Sequence, residues 1–598
     1  MADTIPELFR RQVEALGRKP FMLVKRQGAY RDITWQEAFD DVEALSAYLL
    51  VSQVNPGDRV ALFAENRPEW GLADLAIQGV GAWTVPLYPT LTETEVRAIC
   101  RDCEPVVGIA SSSAHATLLL AVSRSVPSLR AIVVMDPNQQ HPAMILSWAD
   151  ALRLGRERGE RLRDLAEHRR RQLRPDQTAT LIYTSGTTGE PKGVMLSHAN
   201  FLFNVRASLE AIPVGPGDRH LSFLPLCHVF ERMAGWYLML WAGASVAYAE
   251  SMDTLPANML EVRPTVMLGV PRFFEKLHAR IHEAVRQASP VKRRLLQWAL
   301  GVGRRAARAE FDGRRPSPWL ALQRAAAQAI VFRKLQARLG GRLRFFVSGG
   351  APLPPEIGEF FYSIGVVILE GYGLTETSPV IAVNRLPVPR FGTVGPPLSG
   401  AEVRIAEDGE ILTRGPHVMQ GYYRKPEATA AALADGWLHT GDIGRLDAGG
   451  RLVITDRKKD LIKTAGGKFV APQKLENRFV TDPYITQAFV YGDRRPYCVA
   501  LIVPNAEQLR RYAAGAGIAG GSLHDLVRHP RIRELYFERV RALQQDLPSF
   551  EQVKAIALLD QEFSQGAGEL TPTLKAKRAV IAGRYAAALQ GLYEGQGG

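Results

Sequence analysis

An eleven-residue run, Tyr183-Thr-Ser-Gly-Thr-Thr-Gly-Glu-Pro-Lys-Gly193, restricts the folds open to this chain more than any other feature. Three glycines (Gly186, Gly189, Gly193) let the backbone approach a polyanion, the hydroxyls of Thr184, Ser185, Thr187 and Thr188 can donate to it, and Lys192 adds a full charge. The run follows an apolar strand, Thr180-Leu-Ile-Tyr, and precedes a helix expected to begin near Ser197. It reads as a phosphate loop between strand and helix. No Gly-Lys-Ser/Thr stands at the spacing of a Walker A loop, so a P-loop NTPase is excluded.

The flanking sequence agrees with a layered α/β domain. Arg59-Val-Ala-Leu-Phe-Ala predicts a short apolar strand, Glu69 to Ile77 a helix and Trp83-Thr-Val-Pro-Leu another strand. Three glycines and two prolines crowd Gly392 to Gly400, and Asp447-Ala-Gly-Gly450 predicts a hairpin turn between two strands of period two. Beyond Asp456 the pattern becomes a small α+β unit, with strands at Gln487–Gly492 and Tyr497–Pro504 and helices near 525–545 and 575–592. At 598 residues the chain is too long for one core. The expected fold is α/β: a large multi-layer N-terminal domain, 1–456, with sheets flanked by helices, and a small mobile α+β C-terminal domain, 457–598, joined at Arg457 to Asp460.

Four cysteines are too few and too scattered for a disulfide framework. Cys100 and Cys103 read as two small residues on one helix face. The N-terminus has no apolar core and carries acids early, so neither a secretory signal nor a transit peptide is expected, and a reducing cytoplasm is. Met233 to Ala249 is uncharged but interrupted by Gly235, Gly243 and Ser245, which predicts a buried helix followed by a strand. The net charge of +13 is concentrated: Pro290 to Arg344 holds 14 Lys and Arg against Glu310 and Asp312, inside a basic helical insertion at 263–345. Two readings stay open, an amphipathic helix on the anionic inner face of a membrane and a solvated helical hairpin. No nucleic-acid motif accompanies the charge.

Further segments follow the loop in order: Pro225-Leu-Cys-His228, Ser348-Gly-Gly-Ala-Pro352, Glu370-Gly-Tyr-Gly-Leu-Thr-Glu-Thr377, Thr440-Gly-Asp442, Asp456-Arg-Lys-Lys-Asp460 and Leu570-Thr-Pro-Thr-Leu-Lys575. With the loop, they resemble the signature motifs of the adenylate-forming superfamily of acyl-CoA synthetases, luciferases and peptide-synthetase adenylation domains. Such enzymes let a carboxylate attack the α-phosphate of ATP, so the site must neutralise charge on the triphosphate and on the transition state.

The resemblance implies roles residue by residue. Thr184, Ser185, Gly186, Thr187, Thr188, Gly189 and Lys192 would cradle phosphates, and Glu376 with the Thr184 hydroxyl would hold Mg²⁺. Gly350, Ala351, Glu370, Gly371, Tyr372, Gly373 and Thr375 would form the nucleotide site, with the Tyr372 ring on adenine. Asp442 would accept from the ribose hydroxyls beside Arg457. Lys575 would bridge carboxylate and α-phosphate, and His228 would stand near the fatty carboxylate. For transfer to coenzyme A the C-terminal domain would rotate about Lys459, and Gly466 and Gly467 would line the pantetheine passage.

His228-Val-Phe-Glu-Arg232 and the long insertion resemble the long-chain fatty-acid–CoA ligase branch. Trp236, Tyr237 and Trp241 are then candidates to line an acyl tunnel, in which each buried CH₂ adds about 0.8 kcal/mol. Two rivals differ in outcome: a ligase that loads acyl-adenylate onto a carrier protein, and a catalytically silent lipid-binding protein that keeps the fold.

Overall fold

The computed structural model describes residues 2–136, 142–185, 191–518, 522–571 and 576–594. Two eight-stranded sheets organise the large domain. In one, hereafter the phosphate sheet, Arg59–Phe63, Trp83–Leu87, Val107–Ala110 and Ala131–Val134 run parallel. These strands are short, almost unbroken apolar runs because helices cover both faces. Thr178–Ser185 joins this sheet parallel to Trp83–Leu87. Its other neighbour is Pro191–Ser197, antiparallel, with Thr184 opposite Lys192 and Ser185 opposite Pro191. The helix His198–Ala211 begins where expected, after Ser197 caps it in a reciprocal box with Asn200, but a strand that the sequence did not signal, Pro191–Ser197, lies between loop and helix.

The other sheet, the adenine sheet, runs Arg219–Ser222, Ser245–Tyr248, Val266–Gly269, Phe345–Ser348 and Val367–Gly373 in parallel, with Val380–Val383 antiparallel at its edge. Met233 to Ala249 is a π-helix Glu231–Tyr237, a short α-helix Leu238–Ala242 and a strand, all largely buried. Cys100 and Cys103 lie buried on one helix, Glu93–Cys103. A four-stranded antiparallel sheet ends in the hairpin Leu438–Leu446 and Leu452–Arg457. Carboxyl ends of strands from both large sheets face one crevice, the usual ligand position in open α/β sheets.

Val266–Gly269 belongs to the adenine sheet, so the helical excursion starts at Pro271 rather than at Arg263. It comprises helices Pro271–Gln287, Pro290–Phe311 and Pro318–Ala327, the last continuing through a π-helix, Gln328–Phe332, into Arg333–Ala337. The second of these buries Ala299, Leu300, Val302, Ala306 and Ala307. Gly303 lets it approach helix Pro355–Ser363 closely, since a Cβ there would stand 2.3 Å from the Ser363 carbonyl oxygen. The apolar blocks among the arginines are thus partly a docking face for the hairpin.

After Arg457 come a small hairpin, Ile462–Lys463 with Phe469–Val470, and a three-stranded sheet of Ile485–Tyr491, Cys498–Pro504 and Val553–Leu558. The helix expected over 525–545 is two, Leu523–Arg528 and Pro530–Leu543, because Pro530 restarts the chain as a new first turn. Helix Pro271–Gln287 meets this unit at both ends: Arg272 donates to the Thr486 carbonyl at 2.7 Å, and Glu283 accepts from Arg511 at 2.5 Å and from Gln508 at 3.3 Å.

Candidate active site

A cleft of about 2710 Å³ opens between the two large sheets and the C-terminal unit. On strand Thr178–Ser185 side chains alternate. Tyr183 turns back, its hydroxyl 2.5 Å from Asp102 Oδ2, and its ring lies under Gly193, where a Cβ would come within 3.1 Å. Thr184 takes the opposite face and lines the cleft with Lys192. Gly186, Thr187, Thr188 and Gly189 lie outside the described residues, as does the side chain of Ser185.

Beside this pair stands a residue that the sequence reading missed. Tyr422 pairs with Val194 next to the loop, and its hydroxyl donates to Glu376 Oε1 at 2.9 Å. Lys192 Nζ lies 5.1 Å from the Tyr422 ring centroid. Burial, then the nearby Glu376 carboxylate, raise the tyrosine's pKa, so it stays a protonated donor. Glu376 sits on a single helical turn, Thr375–Thr377, whose carbonyl at 376 accepts from the Met419 amide at 2.8 Å. The sequence signal for Tyr422 was slight, an aromatic after Gly421.

The loop after strand Phe345–Ser348 exposes Gly350, at φ +84°, and Ala351 to the cleft. Glu370 lies beneath it, 4% exposed, and its Oε1 accepts from the Leu353 amide at 3.0 Å. Burial pushes this carboxyl up to about 8 against one stabilising hydrogen bond, so it is protonated at neutral pH and braces the loop. Gly371, Tyr372, Gly373 and Thr375 line the same wall. Tyr372 donates to Asp442 Oδ2 at 2.7 Å, while Arg457, opposite Asp442 on the neighbouring strand, meets Oδ1 at 3.0 Å. Asp442 is thus a buried carboxylate with each oxygen already ordered by a donor. Burial, followed by this carboxylate, raises the Tyr372 hydroxyl.

His228 caps the acyl side. Its Nδ1 accepts from the Phe230 amide at 3.2 Å, which leaves the ring proton on Nε2. The wall beyond is formed by Val229, Phe230, Met233, Ala234, Leu238 and Met239. This corrects the expectation for Trp236, Tyr237 and Trp241, which are absent from that wall. Helical periodicity turns the other face of the segment inward: Trp236 packs 5.2 Å from the Phe21 ring, Tyr237 stands 5.0 Å from Phe201, and Trp241 packs on the same core.

From the C-terminal unit, Thr571, Ala576 and Lys577 line the cleft, and Leu570 and Ala576 bridge as an antiparallel pair. Lys575, between them, lies outside the described residues. Lys459 is exposed and lines the cleft, whereas its neighbour Lys458 is held by Asp408 at 2.6 Å and Glu410 at 2.9 Å. Gly466 and Gly467 occupy the turn after Ile462–Lys463, with open space around them, and this arrangement does not bring them to the cleft.

Comparison with known proteins follows the same division. The family model for AMP-binding enzymes matches residues 9–423, and that for the AMP-binding enzyme C-terminal domain matches 459–597. A Mycobacterium tuberculosis protein named long-chain-fatty-acid–CoA ligase FadD15 is 37% identical over 95% of this chain and 93% of its own. Peroxisomal long chain acyl-CoA synthetase 7 of Arabidopsis thaliana is 34% identical over 95% and 82%. Among solved structures, the adenylation domain of a Mycobacterium chelonae carboxylate reductase superposes with a TM-score of 0.75 at 26% identity, covering 99% of this chain and 91% of that one. An anthranilate–CoA ligase in complex with anthranoyl-AMP shares the fold at 0.73, with 19% identity and 98% coverage of both chains.

Proposed function

Because this chain belongs to the AMP-binding enzyme family, we propose that its cleft divides the work of a long-chain-fatty-acid–CoA ligase among the residues described above. The enzyme converts a long-chain fatty acid and ATP to acyl-AMP and pyrophosphate, then transfers the acyl group to coenzyme A with release of AMP.

One observation carries the assignment: the end of the phosphate strand, the Glu376–Tyr422 pair and His228 at the head of an apolar wall all face a single cleft. Thr184 and Lys192 receive the phosphates. Gly350, Ala351 and Tyr372 receive the adenine, and Asp442 the ribose. The fatty carboxylate stands at His228, whose Nε2–H can donate to it, and the alkyl chain lies along Val229 to Met239. Lys575 brings a cation from the C-terminal domain to the α-phosphate, where charge grows in the transition state.

Hard oxygen donors fit a divalent cation: the Glu376 carboxylate, with Oε1 engaged by Tyr422, and the Thr184 hydroxyl both line the cleft. Glu376 and Thr184 would hold Mg²⁺, which neutralises phosphate charge when bound. We place the domain boundary at Asp456–Arg457 and the hinge at Lys459, so that rotation carries Lys575 away and brings Gly466–Gly467 to the passage for coenzyme A.

Fatty-acid-dependent pyrophosphate release followed by mass detection of the thioester tests the reading. Acyl-AMP without acyl-CoA would instead favour a carrier-protein acceptor, and no pyrophosphate at all would leave a silent lipid-binding protein. Lys575→Ala should abolish most adenylation while sparing transfer from supplied acyl-AMP. Equal loss of both would refute its role.

We also propose that the basic hairpin meets the anionic cytoplasmic face of a membrane. Among the described residues no helix is long and apolar enough to cross one. Yet the hairpin exposes Val291 (79%), Trp319 (67%) and Leu322 (62%) among its arginines, an arrangement suited to shallow insertion. Trp319→Asp with Leu322→Asp should weaken sedimentation with phosphatidylserine vesicles, as should added salt. Unchanged sedimentation would end this proposal.

A further inference from the structure

Glu231 and Arg232 are consecutive, charged and fully buried, and they reach towards different sheets. Glu231 Oε1 accepts from Ser222 Oγ at 2.6 Å and faces His220 Nε2 at 2.8 Å, both on strand Arg219–Ser222 of the adenine sheet. Arg232 points the other way. It pairs with Asp74, donates from Nη1 to Thr180 Oγ1 at 2.7 Å and from Nε to the Tyr237 hydroxyl at 3.0 Å. Asp74 is itself held by Thr84 at 2.7 Å, Gln78 at 2.8 Å and Tyr237 at 2.6 Å. Thr180 lies on the phosphate strand and Thr84 on the strand beside it, so the Arg232 bonds end in the phosphate sheet.

Both ends of this clamp reach the reacting groups. The Arg232 amide donates to the His228 carbonyl at 3.1 Å, so a shift of Arg232 moves the backbone of His228 directly. Thr180 and Thr184 share a face of one strand, four residues and about 13 Å apart. The loop leading to His228 is fixed as well, because Asn66 donates to Ser222 Oγ at 2.9 Å and accepts from the Leu226 amide at 2.9 Å. Burying a guanidinium and a carboxylate is expensive, and well-packed apolar residues of similar volume would often be as stable. What an apolar contact would not supply is the direction of a fork of donors fixed on three partners.

We propose that Arg232 is a positioning residue for adenylation. Through Asp74 and Thr180 it sets the separation between the carboxylate end of the acyl passage, at His228, and the phosphate strand, at Thr184, while Glu231 holds the same π-helix to the adenine sheet. The proposal rests on the roles assigned to His228 and Thr184 above. Two substrates held on separate sheets react only if the sheets keep their spacing, and an error of about 1 Å costs on the order of 100-fold in rate.

Two variants test it in the full-length enzyme. Arg232→Lys keeps the charge but, as a point donor, does not span Asp74, Thr180 and Tyr237 together. Thr180→Val removes the hydroxyl that accepts from Arg232 and donates to the Thr84 carbonyl at 2.6 Å, both within the phosphate-sheet end of the clamp. The expected result is a fall in kcat for fatty-acid-dependent pyrophosphate exchange, about 100-fold for Arg232→Lys and about tenfold for Thr180→Val. KM for ATP and fatty acid should change less than about twofold, and transfer from supplied acyl-AMP should persist, since that step no longer joins the two anchors. If Arg232→Lys does not fold, Thr180→Val decides alone. Wild-type kcat in Thr180→Val, or equal loss in both half-reactions in step with a lowered Tm, would overturn the proposal and reduce the network to fold stability. Wild-type enzyme run alongside separates the two claims: if it lacks fatty-acid-dependent exchange, the functional reading fails and this inference with it.

Discussion

Tyr422→Phe removes one oxygen atom and leaves the rest of its surroundings in place. The ring still lies beneath Lys192 Nζ, 5.1 Å from its centroid, and the backbone still pairs with Val194. What disappears is the 2.9 Å hydrogen bond to Glu376 Oε1. A hydrogen bond to a charged group contributes about 1.5–3 kcal/mol. Glu376 faces a wide cleft where water can replace the hydroxyl, so the lower figure applies, and 1.4 kcal/mol is a factor of about 10. The freed carboxylate samples more orientations, and the step that needs it aligned is adenylation, in which charge is displaced onto pyrophosphate. We expect kcat for fatty-acid-dependent pyrophosphate exchange to fall about tenfold and half-saturating Mg²⁺ to rise by a similar factor. Transfer from supplied acyl-AMP to coenzyme A should stay within about twofold, because no pyrophosphate leaves in that step. Parallel stopped assays of the two half-reactions on one preparation separate the cases. Equal loss in both, or no loss in either, would refute the role given to the Glu376–Tyr422 pair.

Glu370→Gln should alter the pH dependence of stability. Burial raises this carboxyl from 4.5 to about 8, so between those values the folded chain retains a proton that the unfolded chain has lost, and stability falls as pH rises across the window by up to about 1.4 kcal/mol per unit. The amide variant should flatten Tm against pH there, and superposable profiles would refute the assignment. Met239→Trp should fill part of the passage beside the apolar wall and move preference towards shorter acids, each excluded CH₂ costing about 0.8 kcal/mol, or about fourfold in kcat/KM. A scan over acids of graded length checks it, and an unchanged optimum would place the chain elsewhere.

How far the sequence could be read depended on whether a signal was local. Strands such as Arg59–Phe63 and Trp83–Leu87 were legible because burial on both faces writes a continuous apolar run. The hairpin turn at Asp447 was legible from its glycines, and Asp447 Oδ1 indeed accepts from the Gly449 amide at 2.8 Å. Strand Pro191–Ser197 was hidden, since Pro-Lys-Gly at its start speaks for a loop and only pairing with Thr178–Ser185 makes it a strand. Trp236 and Tyr237 were assigned to the wrong face because composition says that a segment is apolar but not which side meets a cavity. Tyr422 was invisible for a different reason: its partners Glu376 and Lys192 are distant in sequence and meet only through the edge pairing of Gly421–Tyr422.

The distribution of cations in the cleft explains why one domain is not enough for the chemistry. Arg457 and Lys458 stand where a triphosphate could draw on them, yet Arg457 is held by Asp442, and Lys458 by Asp408 and Glu410. Their charge is already balanced, and it serves to fix the hairpin that presents Asp442. On the large-domain side Lys192 lines the cleft with the Tyr422 ring beside it. Four phosphate charges and an incoming carboxylate exceed what one lysine and a bound Mg²⁺ would neutralise, which is why we assign a further cation, Lys575, to the C-terminal domain. Leu570 and Ala576, the described residues that bridge on either side of Lys575, both line the cleft. Once pyrophosphate has left, that demand eases, while contacts such as the Arg511–Glu283 ion pair still join the C-terminal unit to the large domain. On our reading, release of the domain for the thioester step is favoured because the shortage of charge that drew it in has eased.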